Sequence, residues 1–139
     1  MTPIPEDQIH ATIGDEGFHR LIAAFYRRVK TDDILGPLYP QQDFAGAEVR
    51  LRLFLIQRFG GPTTYSNQRG HPRLRMRHAP FPVDERARNR WIDLMEQALA
   101  EVALPADVLP TLRKYFHDTA TFMINHPPDD PTSRLSQRA

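Results

Sequence analysis

The chain has 139 residues, 40% hydrophobic and 25% charged, which suits one globular domain with a single modest core. Lys+Arg 18 against Asp+Glu 17 leaves a net charge of +1, which argues against a dedicated polyanion binder. There is no cysteine, so disulfides, thiolate nucleophiles and Cys-ligated metals are excluded. In chain order, the opening MTPIPEDQIH has neither a basic n-region nor an apolar h-region, so no signal peptide is expected. No apolar run approaches the ~18 residues of a membrane span, and the expectation is a soluble, cytoplasmic protein.

Residues 15 to 30 carry the clearest helical period. Phe18, Leu21, Ile22, Phe25, Tyr26 and Val29 form one stripe, with Asp15 and Glu16 at the end where the helix dipole favours carboxylates. A connection follows, TDDILGPLYPQQD, punctuated by Gly36, Pro37 and Pro40. A second helix is predicted from Ala45 to Phe59, its face made by Ala47, Leu51, Phe54 and Leu55, and Gly60-Gly61-Pro62 ends it. Residues 63 to 70 read as polar and irregular. Pro72 suits a first helical position and Pro80 bars helix at Ala79, so residues 72 to 78 make at most two turns with His78 at the end. Asp84 is a good N-cap for a long helix with Ala87, Trp91, Leu94, Met95, Ala98 and Val102 inside, and Pro105 stops it. A last helix starts near Pro110, with Leu112, Tyr115, Phe116, Thr119 and Met123 inward and Phe122 beside them. The fold class is all-α, with four substantial helices and one short one.

Bulky aromatics stand on several inner faces, and most such residues are simply core. Tyr26 and Trp91 differ in carrying a polar hydrogen that needs a partner when buried. Of the six histidines, none pairs with another histidine or a carboxylate at a metal-ligand spacing such as HExxH, and no GxSxG, P-loop or GxGxxG is present. His71 precedes Pro72, outside the short helix, so a two-histidine site with His78 is not expected. His78 itself reads two ways: an ordinary surface or core histidine, or a lone imidazole on a stiff support beside an aromatic cavity, the arrangement that holds a haem iron.

Three stretches carry a family resemblance: AGAEVRLRLFLIQRFGGP (45–62), TYSNQRGHPRLRMRHAPFPV (63–83) and RNRWIDLMEQAL (88–99). The chain resembles the truncated haemoglobins, and among them the group II (O-type) branch, over roughly residues 12–126. GHPRLRMRHAPF is the most specific of these segments. The resemblance implies a globin-like, two-over-two helical sandwich that binds haem b; outside it lie an N-terminal arm, residues 1–11, and a polar, proline-bearing tail, residues 127–139, expected to be disordered. It implies His78 as the proximal iron ligand, and Tyr26, Tyr39 and Trp91 as distal hydrogen-bond donors to the bound gas. Ala47 falls where many globins place a distal histidine, with Leu51 one turn further. Phe54, Phe81 and Met95 are expected along the porphyrin edge. Arg77 is the first candidate for a propionate, with Arg50, Tyr65 and His71 as weaker ones. Family members often carry a glycine pair where the first helix meets the second; this chain reads IGDEGF, with Gly14 followed by Asp15, which leaves the shape of that corner open.

The implied function is reversible binding of O2, and of NO and CO, in a polar pocket suited to oxygen or NO redox chemistry or to oxygen storage. Peroxidase-like turnover or NO dioxygenation would draw on an external reductase, since the chain has no flavin or nicotinamide motif. The alternative is a helical nucleic-acid module using Arg69, Arg73, Arg75 and Arg77 on phosphates, with strongly salt-dependent affinity.

Overall fold

Nearly all of the first long helix is core, and the other helices are placed by it. In the computed structural model, which describes residues 2–73, 76 and 83–125, α1 spans Ile9–Lys30, α2 Phe44–Arg58, α3 Thr64–Arg69, α4 Glu85–Val102 and α5 Leu109–Phe122. Single 3-10 turns occur at Glu6–Gln8, Gly36–Leu38 and Ala106–Val108, and no strand occurs among the described residues. On α1, Phe18, Leu21, Ile22, Ala24, Phe25 and Val29 have no exposed surface. These positions cover more than one face because α1 packs on both α2 and α4, while α5 packs back on α4. The result is the all-α, two-over-two sandwich. Each fully buried Phe, Leu or Ile contributes about 1.5–3 kcal/mol of transfer free energy.

The corner left open by IGDEGF takes its shape from Gly14, at φ 68° and ψ 179° inside α1. That region of backbone space is essentially confined to glycine, and it breaks the helix into two parts with Asp15 and Glu16 starting the second. Asp15 then meets His10 across the break, Oδ1 to Nε2 at 2.6 Å, and the His10 ring stacks on Phe18.

The chain ahead of residue 12, read from the sequence as an arm, is built into the body instead. Residues 9–11 open α1, and Ile9 is fully buried. His10 N–H donates to the Phe59 carbonyl at 2.9 Å, Ile4 N–H to the Asp107 carbonyl at 3.0 Å, and Thr111 Oγ1 to the Ile4 carbonyl at 2.6 Å. Gly60 makes the close approach possible, since a Cβ there would lie 2.1 Å from the Asp7 carbonyl oxygen.

α2 begins on an Asp43 cap, whose side chain accepts from Gly46 N–H at 3.1 Å. Residues 63–70 differ from expectation: 64–69 form α3. The reason is tertiary. The Gln57 side chain donates to Ser66 Oγ at 2.7 Å and accepts from Ser66 N–H at 2.9 Å, and buried Tyr65 meets Phe54 edge-on at 5.5 Å. Of the short helix expected over 72–78, only residues 72, 73 and 76 are described. Asp84 caps α4 as predicted, accepting from Ala87 N–H at 2.7 Å. On α5, Leu112, Phe116 and Met123 are buried, but Phe122 is 59% exposed because it lies off that stripe.

Replacing Gly14 by alanine isolates the backbone cost, because an added Cβ meets nothing within 4 Å. Gly14→Ala should destabilise the fold by about 1–3 kcal/mol, measured by urea unfolding; an unchanged midpoint would show that the break in α1 is not needed.

Candidate functional site

Three polar aromatics from three separate segments meet at one point. Tyr26 comes from the middle of α1, Trp91 from the second turn of α4, and Tyr39 from the connection that follows the Gly36–Leu38 turn. Tyr26 is buried, whereas Tyr39 and Trp91 are half-buried. The Tyr26 and Tyr39 rings stand edge to face with centroids 5.5 Å apart. Phe25 fills the space between, 5.4 Å from Tyr26 and 5.0 Å from Trp91, and Phe116 backs Trp91 at 5.7 Å. Phe44, at the start of α2, stacks on Tyr39 at 6.3 Å. The sequence pattern did not single out Phe44; its position directly after the Asp43 cap was the available signal.

Burial pushes the Tyr39 hydroxyl up to about 12, while hydrogen bonding from Trp91 and then from Tyr26 pulls the other way. Burial, with Tyr39 beside it, also drives the Tyr26 hydroxyl far above the ordinary tyrosine range. Both shifts have one geometric cause. The Trp91 N–H and the Tyr26 O–H serve a single acceptor, the Tyr39 oxygen, inside an apolar surround. Three polar hydrogens gathered among aromatic side chains suit a small electron-rich ligand.

Ala47 and Phe54 on α2 and Met95 on α4 are buried, and Leu51 is half-buried. All four belong to, or pack against, the apolar core. Arg50 is committed at one nitrogen, its Nη1 lying 3.0 Å from Asp43 Oδ2, with other donors of its guanidinium unassigned by that bond. It also lines an open cleft of about 560 Å³ with Ala45, Gly46, Val49, Gln68 and Arg69. Tyr65 is buried against Phe54, and His71 is exposed. His78, Arg77 and Phe81 lie outside the described residues, as does Arg75 of the nucleic-acid alternative.

Two residues outside the predicted site, Asp32 and Arg90, pair behind it. Asp32, with its side chain 6% exposed, bonds Arg90, the residue before Trp91. An aspartate directly after a helix, two or three residues ahead of free backbone N–H groups, is a recognisable turn signal.

The description "Bacterial-like globin" belongs to the family model that matches residues 8–125 of this chain. Group 2 truncated hemoglobin YjbI of Bacillus subtilis (strain 168) is 34% identical, over 84% of this chain and 87% of its own length. Among solved structures, a thermostable hemoglobin from the actinobacterium Thermobifida fusca is 46% identical with a TM-score of 0.81, covering 84% of this chain and 95% of that one. A truncated oxygen-avid haemoglobin from Bacillus subtilis is 34% identical with a TM-score of 0.80, covering 84% and 98% respectively.

The buried tyrosines carry a pH signature. A group whose folded pKa is raised adds stability that is complete below the unfolded value and is lost as pH climbs through the folded one. For Tyr39 the window runs from its ordinary 10.0 to about 12. Stability should therefore fall with rising pH above 10, and Tyr39→Phe should flatten that fall, as read by urea unfolding at pH 9, 10 and 11. An equal slope in both proteins would remove Tyr39 as its source.

Proposed function

The chain belongs to the group II truncated haemoglobins, a family of haem-based gas binders, and from that membership we propose that it holds haem b on His78 and binds O2, NO and CO reversibly. Haem supplies an iron with an open coordination position for a diatomic gas. His78 would hold the iron through its imidazole. Ala47, Leu51, Phe54, Phe81 and Met95 form the apolar wall around the ring. Ala47 is too small to donate or to block, so it leaves a way in for the gas while Tyr26, Tyr39 and Trp91 do the polar work. Arg77 meets the carboxylate edge, with Arg50, Tyr65 and His71 as supporting contacts; Arg50 contributes through the donors that Asp43 leaves free.

The observation that carries this reading is the meeting of Tyr26, Tyr39 and Trp91, with the Trp91 N–H and the Tyr26 O–H directed at the Tyr39 oxygen and Phe25 packed between Tyr26 and Trp91. Fixed donors in a low-dielectric site stabilise a ligand that gathers negative charge, and they cost no reorganisation when it arrives. Slow ligand release follows, which favours oxygen or NO chemistry with an external reductant, or oxygen storage, over rapid delivery. The oxygen avidity named for the Bacillus subtilis structure is in keeping with that. Membership of a haem-binding family favours this reading over a nucleic-acid module built on Arg69, Arg73, Arg75 and Arg77.

The absorption spectrum tests the core of the proposal. The protein should show a strong Soret band that is lost in His78→Ala; a chain that takes up no added hemin would sink it. For the distal side, one hydrogen bond is worth about 0.5–1.5 kcal/mol, so Tyr26→Phe should speed O2 release about 2- to 13-fold. Unchanged stopped-flow release would shift the stabilising role to Tyr39 or Trp91.

A further inference from the structure

Tyr39 sits on a connection between helices, and such segments are ordinarily the less stable parts of a fold. Its position is held by a run of bonds that begins at Asp32. The Asp32 carboxylate accepts from Ile34 N–H at 3.0 Å and from Leu35 N–H at 2.8 Å, and its backbone carbonyl accepts from Gly36 N–H at 3.0 Å. Leu35 is buried, Gly36 begins the 3-10 turn, and Tyr39 N–H donates to the Gly36 carbonyl at 3.2 Å. Gln41 Nε2 closes the segment from the far side, donating to the Gly36 and Tyr39 carbonyls at 2.7 and 2.9 Å. Asp32 is also tied back to α1 by its own N–H, which donates to the Val29 carbonyl at 3.1 Å.

The other oxygen of the same carboxylate faces α4. Arg90 Nη1 lies 2.5 Å from Asp32 Oδ1 and 3.3 Å from Asp33 Oδ1. Asp32 therefore joins the end of α1 through its backbone N–H, and the segment bearing Tyr39 and the residue adjoining Trp91 through its carboxylate. An exposed ion pair contributes little to a fold, but the Asp32 side chain is only 6% exposed and both of its oxygens accept hydrogen bonds. Asp33, 82% exposed, is a bystander by comparison.

We propose that the Asp32–Arg90 pair is a latch that sets the spacing of the Tyr39 and Trp91 donors, making both of its members positioning residues for gas binding. This rests on the haem reading above for its functional meaning, though not for its geometry. Without the latch, Tyr39 moves relative to Trp91, the indole N–H loses its acceptor for part of the time, and the bound gas loses an aligned donor.

Trp91 is the only tryptophan, so its indole N–H gives one resonance in a 15N-labelled sample of the whole chain. In Arg90→Ala that resonance should shift and its hydrogen should exchange faster, and CO and O2 release should speed up about two- to tenfold. Arg90 reaches both carboxylates through a single nitrogen, so Arg90→Lys should restore the wild-type resonance and rates. Asp33→Asn should leave both unchanged. A lowered melting temperature in Arg90→Ala, with the indole resonance and the release rates unmoved, would reduce the pair to a stabilising contact and overturn the proposal. Should the chain take up no haem, the resonance of the purified protein still decides: its shift in Arg90→Ala supports the latch, and its constancy overturns it. That failure of the haem reading is seen separately, in the spectrum.

Discussion

α1 is enclosed by two neighbours at once, and the remaining architecture answers to that constraint. A helix covered from both sides needs apolar residues around most of its girth, which Phe18, Leu21, Ile22, Ala24, Phe25 and Val29 supply. Tyr26 lies in the middle of this set, and its hydroxyl is taken into the interior with it. A buried hydroxyl must find a partner or lose the hydrogen bond it had with water. The partner it finds is Tyr39, which burial in turn obliges to seek its own. The polar centre of the site is thus a consequence of the way the core is packed.

The supports of that centre come from loops and helix ends. Trp91 is held by a regular helix with a good cap at Asp84, so its position follows from the rigid body of α4. Tyr39 has no such frame. It relies on Asp32, the Gly36–Leu38 turn and Gln41, a set of short-range backbone bonds closed by one long-range ion pair to Arg90. A precise arrangement of donors therefore combines one element that is stiff by itself with one that is stiff only through its contacts. The chain's family is one of haem-based gas binders, and gas binding is the use proposed for the arrangement.

Much of this was legible in the residues. The stripes of α1, α4 and α5, the Asp84 cap and the Gly60-Gly61 stop are local signals, and each appears where the pattern put it. Tyr26 and Trp91 stood out as buried polar aromatics, but Tyr39 joined them only through the resemblance, because residues that distant in the chain leave no periodic trace of their contact. Residues 64–69 were missed since TYSNQR has no apolar stripe; the Gln57–Ser66 bonds and Tyr65 on Phe54 impose the helix. Ile9 was missed because a lone isoleucine among polar residues does not announce a core position. Phe122 erred the other way, an aromatic next to a buried stripe that nonetheless faces outward.

By itself, the sequence determined that the chain is helical, where its long helices begin and end, and which family it resembles. These follow from period, caps and breakers, which act over a few residues, and from motifs such as GHPRLRMRHAPF that can be read without a fold. Only the tertiary structure decided that the first residues belong to the body, that a polar stretch becomes α3, and that Asp32 and Arg90 stand behind the distal donors. Each of these depends on groups dozens of residues apart sharing a hydrogen bond or a buried surface, and such pairings have no local signature.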